Sequence, residues 1–299
     1  VSTQHKTLDP NNKKDIMAKI AIITDSDSSL PAQTAAEHGI LQVPILVHFD
    51  GRTYTTGVDI DDRLLFEMID KSNRLPTTSA PNPADFVNAF QKAFDQGAEG
   101  IICICVSSLI SSTYSSAEAA RERFPERDIR VIDSMRLTMA QGYMTLAAAE
   151  AAERGASLDE IEAIVKTTGP KLHTFAVLST LKYLAMSGRV GKLVAGLADT
   201  FNIKVILTVK DGKLGLLEKI RTRRKAVERL QALLVESVNG QKVERISVIH
   251  VNEPQGAAEM EALLRETFDC PEKITIAEFT AGLSVHAGAG LVGVVVQTA

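Results

Sequence analysis

An α/β protein of two unlike halves is what this sequence predicts, on three observations. In the first half, short β-branched apolar runs alternate with helical stretches. In the second, Asp211-Gly212 separates two runs of alternating polarity, and between the halves Gly169-Pro170 ends a helix. Continuous apolar strands spaced by helices argue for a buried parallel sheet. Asp-Gly between alternating runs signals a hairpin, hence a mixed or antiparallel sheet. The expected organisation is a tail or linker over 1–17, an N-terminal parallel-sheet α/β domain over 18–170 and a C-terminal mixed-sheet α/β domain over 171–299.

Each element has its own signal. The opening "VSTQHKTLDPNNKKDI" is polar and aperiodic, so it reads as a disordered tail or linker, and "MAKIAIITDSD" reads as the start of a domain. "KIAIIT" (19–24), "IICICV" (101–106) and "RVID" (130–133) are strand-like. Phe86, Phe90, Ala93 and Phe94 mark one face of a helix that Asn82, Pro83 and Asp85 open as N-cap, N1 and N3. A second helix is expected over 134–155, closed by Gly155. Beyond the cut come the hairpin within 205–219, a basic helix from about Thr222, a strand at 245–251, a helix near 255–267 and strands at 273–279 and in the closing "GLVGVVVQ".

Composition excludes several classes. At 45% hydrophobic and 23% charged residues the chain is an ordinary globular one. A net charge of −4 does not suit a non-specific nucleic-acid binder. No apolar run reaches the ~18 residues of a membrane span, so contact with a membrane is expected to be transient at most. Cys103 and Cys105 share one face of a strand and read as buried free thiols, as expected in the cytoplasm. No metal is expected.

Short polar side chains follow each parallel-type strand: Asp25-Ser26-Asp27-Ser28, Ser107-Ser108 and Asp133-Ser134. Open α/β sheets bind ligands beyond the carboxyl ends of their strands. Thr78 and Ser79 precede the Asn82 cap without serving it. Ser111, Ser112 and Thr113 open a helix where capping needs one hydroxyl. Such a helix start suits the anionic head group of a small molecule. Arg221, near a helix start, and Arg189, in a glycine-bounded loop, are cations placed where something anionic could compensate them.

Two motifs point elsewhere. "IITDSDSS" imitates the D-x-D signature of Mg-dependent aspartyl phosphatases, with Asp25 as nucleophile and Asp27 as acid/base, but the later acidic pair that holds the metal is missing. Gly288-Ala289-Gly290-Leu291-Val292-Gly293 spells the dinucleotide fingerprint, yet it precedes a strand rather than a helix.

Taken in order, "IITDSDSSLP", "TSAPNPADF", "LISSTYSSA", "VIDS", "LKYLAMSGRVGKL", "ILTVKDGKL", "RTRRKA" and the terminal His-x-Gly-x-Gly resemble the DegV family of bacterial proteins, from about Lys19 to the C-terminus. The resemblance implies two α/β domains with a long-chain fatty acid between them, palmitate-like or oleate-like, and no further cofactor. It implies a non-catalytic carrier that presents the bound carboxylate to a separate kinase subunit, which makes acyl phosphate from ATP. Carried over, the carboxylate-binding residues are Thr78 with Ser79, Ser111 and His286. Arg189 and Arg221 correspond to arginines associated with the head group or the kinase. Gly288 and Gly290 then shape a loop that delivers His286 to the carboxylate. The sequence departs from the family pattern at Ala80, Ser112, Ser187 and Ala289, which bears on loop shape and ligand choice. The competing readings are the Asp25/Asp27 phosphatase and a carrier of another amphiphile such as an isoprenoid.

Overall fold

The computed structural model describes residues 19–187 and 203–299. The first half runs β1 (Ile20–Asp25), α1 (Ala32–Glu37), β2 (Leu41–Val43), β3 (Leu46–Phe49), β4 (Arg52–Thr55), α2 (Asp62–Ser72), β5 (Thr77–Ser79) and α3 (Pro83–Asp95). It continues through β6 (Gly100–Cys105), α4 (Thr113–Arg121), β7 (Asp128–Asp133), α5 (Thr138–Glu153) and α6 (Leu158–Thr168). The second half runs β8 (Leu172–Leu178), α7 (Lys182–Ser187), β9 (Lys204–Lys210), β10 (Lys213–Ile220) and α8 (Arg223–Val238). It closes with β11 (Val243–His250), α9 (Pro254–Thr267), β12 (Thr275–Glu278), α10 (Ala281–Ala287) and β13 (Val292–Thr298).

Strands of the first half form an all-parallel sheet, β2-β1-β6-β7, and a small antiparallel one, β4-β3-β5. Those of the second half form one mixed sheet, β10-β9-β8-β13-β11-β12, antiparallel except where β11 meets β12. The patterns that built the expectation explain this. All of β6 is buried: Ile101, Cys103 and Cys105 face the layer of α3 and α4, while Ile102 and Ile104 face α5. The two thiols lie 3.8 Å apart on one face as free cysteines.

Asp211 and Gly212 both take positive φ, +48° and +75°, as a two-residue hairpin turn requires. The Gly212 carbonyl accepts from Ser107 Oγ at 2.7 Å, so the hairpin tip docks on the first half where β6 ends. At the start of α3 the Asn82 N–H donates to Asp85 Oδ2 at 2.8 Å, and Thr222 caps α8 by accepting from the Lys225 N–H.

The helix expected over 134–155 starts later than the sequence suggested. Met135 and Thr138 have φ of +53° and +51°, which no helix continues through, and the Ser134 hydroxyl both donates to the Arg136 carbonyl and accepts from its N–H. Helix α5 therefore begins at Thr138. It is buried on every side because it lies between the two large sheets, so it lacks a polar face. One apolar core surrounds it and joins both halves, including Ile102, Ala148, Leu207 and Val295. Two further cores lie under α3 and α4 and under α8 and α9. Among the described residues, no helix is long and apolar enough to cross a membrane.

Candidate functional site

Strand β8 sorts its side chains by alternation. Phe175 and Val177 face the core under α8 and α9, whereas Thr174, Ala176 and Leu178 face the opposite way. There they line a cavity with Leu207 of β9 and Leu214 of β10. Ile110 and Leu137 of the first half close it from the other side, and Leu283, His286 and Ala287 of α10 bound it further. The cavity measures about 620 Å³ including its open mouth, and hydrocarbon forms most of its wall. That character suits an apolar small molecule.

The polar group at this cavity is built by residues far apart in sequence. Thr78 is the middle residue of β5 and pairs with Val47 of β3. Its Oγ1 lies 2.8 Å from Nε2 of His286, in the last turn of α10. His286 thus sits on a helix, not in the closing loop where the sequence placed it. The glycines act just after it. Gly288, at φ +77°, ends α10 by donating its N–H to the Ser284 carbonyl at 2.9 Å. A Cβ at that position would collide with the ring of Tyr183, so glycine is what lets α7 pack against α10. Gly290, at φ +85°, donates to the Val251 carbonyl and leads the chain into β13.

The other expected residues are distributed around this pair. Ser79 presents its hydroxyl to His48 Nε2 at 2.8 Å, and His48 Nδ1 reaches Thr53 Oγ1 at 3.0 Å. Successive strand residues point to opposite faces, so Ser79 and Thr78 diverge. Ser111 Oγ is 2.8 Å from Thr113 Oγ1 and accepts from the Thr113 N–H at 3.3 Å, at the start of α4. Thr113 is buried and Ser111 half-buried, next to the cavity residue Ile110. Arg221 is exposed just before the α8 cap, so it lies outside the helix rather than in its first turn. Arg189 lies outside the described residues.

The Asp25/Asp27 phosphatase reading is corrected by the surroundings of Asp25. Its side chain is wholly buried. Oδ1 accepts from the Asp27 N–H at 2.9 Å, and Oδ2 accepts from the Val106 N–H at 2.8 Å and Gln141 Nε2 at 3.0 Å. Burial pushes its pKa up to about 6 against these bonds. A nucleophile must present a lone pair to its substrate, and both oxygens here are turned into the protein. Asp25 braces β1, β6 and α5 together.

Sequence reading missed His48, Tyr183, Thr138 and Thr174. The first two lie among ordinary strand and helix residues. The threonines become cavity residues only when the two sheets face each other. No local spacing announces any of them.

The family model described as "Uncharacterised protein, DegV family" matches residues 19–299. The chain belongs to the DegV family. A DegV domain-containing protein of Streptomyces coelicolor is 33% identical over 279 residues, covering 93% of this chain and 98% of the relative. Among solved structures, a DegV family protein of Thermus thermophilus, described by its fatty acid binding, superposes with a TM-score of 0.88 at 27% identity, covering 94% of this chain and all of that one. DegV of Bacillus subtilis, described as a fatty acid binding protein, superposes with a TM-score of 0.85 at 30% identity with the same coverage. The fold of this chain is therefore the DegV fold.

Proposed function

We propose that this chain is a cytoplasmic, non-catalytic carrier of a long-chain fatty acid, which presents the carboxylate to a separate kinase subunit for acyl phosphate formation. The observation that carries the reading is the apolar cavity between the two halves with the Thr78–His286 pair beside it. Both solved DegV proteins described above are named for fatty acid binding. The halves act as two domains meeting near residue 170, where sheet membership changes.

The physical chemistry is coherent. A 16-carbon chain, palmitate-like or oleate-like, gains roughly 0.8 kcal/mol per buried CH₂, on the order of 10 kcal/mol before entropic costs. The head group then needs orientation more than energy. With His286 Nε2–H donating to Thr78 Oγ1, the threonine's own proton is free to donate to a carboxylate. Thr113, donating to Ser111 in the same way, leaves the Ser111 proton for the ligand. Neutral donors hold the carboxylate without a full counter-charge, so it stays available to a phosphoryl donor.

Mass spectrometry of the purified protein, native and after organic extraction, is the decisive experiment. The expected result is one fatty acid per chain. An empty protein that also refuses added palmitate and oleate overturns the reading. Ser111→Ala is expected to weaken fatty acid binding by about 1–2 kcal/mol in calorimetry, the usual effect of a lost hydrogen bond to a charged group. Arg221→Ala is expected to bind the lipid normally and slow acyl phosphate formation with a fatty acid kinase subunit. Full turnover in that variant removes the kinase-contact role.

A further inference from the structure

Helix α10 has open space on two sides. Leu283, His286 and Ala287 border the apolar cavity, while Thr280 and Ala281 border a second one, of about 1180 Å³ including its open side. Asp61, Asp62 and Glu278 line that second cavity, and Phe279 lines both. Seven residues cannot hold a helix by their own hydrogen bonds, and most of the side chains that α10 buries are small. Its place therefore depends on directional contacts, and two of them reach the first half. Ser284 Oγ donates to Asp62 Oδ2 at 2.8 Å, and His286 Nε2 lies 2.8 Å from Thr78 Oγ1. At about 100° per residue these contacts sit about 160° apart around the helix, so they grip it from nearly opposite sides. A Cβ on Gly282 would lie 2.9 Å from Ile45 Cγ2, so the backbone of α10 rests closely on the residue before β3.

Asp62 is the fixed end of its contact. The N-cap of α2 is Asp61, whose carboxylate accepts from the Leu64 N–H at 2.7 Å, so capping does not call on Asp62. Asp62 is only 4% exposed, and Leu65, Phe66 and Ile69 root α2 in the core. We propose that Asp62 is a positioning residue of the carboxylate site: through Ser284 it fixes the rotation of α10, and so sets where His286 meets Thr78. The proposal rests on the fatty acid reading above. The lever is steep. A side-chain tip lies roughly 5–6 Å from the axis of its helix, so a turn of about 10° moves it about 1 Å. That is enough to break a bond of 2.8 Å. Ser284 is wholly buried, so without Asp62 its hydroxyl has no solvent to bond instead.

The test has two readouts on the full chain. The first is titration of the delipidated protein with oleate at pH 8, above the Asp62 pKa of about 7. Ser284→Ala and Asp62→Ala are each expected to weaken binding about threefold to tenfold. The double variant is expected to be no weaker than either single one, because both act through one bond. Asp62→Asn keeps an acceptor for Ser284 and is expected to bind within about twofold of the parent, a rescue that a packing role does not give. The second readout is the nitrogen resonance of His286 Nε2 in the lipid-free protein. Ser284→Ala is expected to shift it toward its value in Thr78→Val, whereas Glu67→Gln, an acid of α2 paired with Arg63, leaves resonance and affinity unchanged. An unmoved His286 resonance, additive losses, or an Asp62→Asn variant as weak as Asp62→Ala overturns the proposal. The resonance is read without lipid, so a parent protein that refuses oleate overturns the carrier reading while the shift still decides the role of Asp62.

Discussion

Two buried aspartates in the first half look alike by burial and differ in everything that follows from hydrogen bonding. Asp25 and Asp62 are 0% and 4% exposed, and burial raises their pKa values to about 6 and about 7. Asp25 accepts three bonds, two of them from backbone N–H groups on separate segments. Asp62 accepts one bond, from the Ser284 hydroxyl, and keeps its other oxygen unpartnered among the described residues. A raised pKa is often read as the mark of a functional group. Here it marks a well-bonded brace in one case and a poorly satisfied acid in the other. The count of satisfied lone pairs tells them apart.

The largest expected effect is on the brace. Asp25→Ala leaves the Val106 and Asp27 N–H groups buried without acceptors, and should cost about 3–5 kcal/mol in denaturant unfolding. Stability near that of the parent would show that Asp25 is no brace and break the comparison.

Asp62→Asn should act in the opposite direction. The folded-state pKa of about 7 lies above the ordinary 3.8, so the folded protein holds the proton more tightly than the unfolded chain. Stability therefore falls as pH rises from about 4 to 7, and the cost is complete above 7. Removing the acid should gain about 2–3 kcal/mol at pH 8 and almost nothing at pH 4. A loss at pH 8, or a gain that ignores pH, would mean that Asp62 is as well satisfied as Asp25.

The smallest effect sharpens the contrast. Ser284→Ala removes the one hydrogen bond among the described residues that favours ionised Asp62, so it should cost about 1 kcal/mol at pH 8 and less at pH 4, and shift the Asp62 titration upward. Carboxyl titration by NMR would read the shift directly, and an unmoved titration would sever the link between the two residues.

Much of the fold was legible because local chemistry dictated it. The unbroken apolar run of β6, the Asp211-Gly212 turn and the Thr222 cap each specify one element without help from elsewhere. The β4-β3-β5 sheet was not legible: its strands are three or four residues long, and "RTYT" and "TTS" carry no apolar run. Helix α10 is only seven residues, six of them small or apolar and the other His286. For the site, the hydroxyl runs and the family resemblance led to Thr78, Ser111 and His286. Asp62 stayed hidden because an acid in the first turn of a helix already has a sufficient explanation. The contacts that define both cavities join residues more than 200 positions apart, Thr78 with His286 and Asp62 with Ser284, and no spacing rule reaches that far.

Phe279 stands between a hydrocarbon chamber and an acid-lined one as their common wall. Helix α10 begins two residues later and carries Ser284 toward one chamber and His286 toward the other. A single partition and a single short helix thus border both chambers, so a change of side chain at Phe279 reshapes two walls at once.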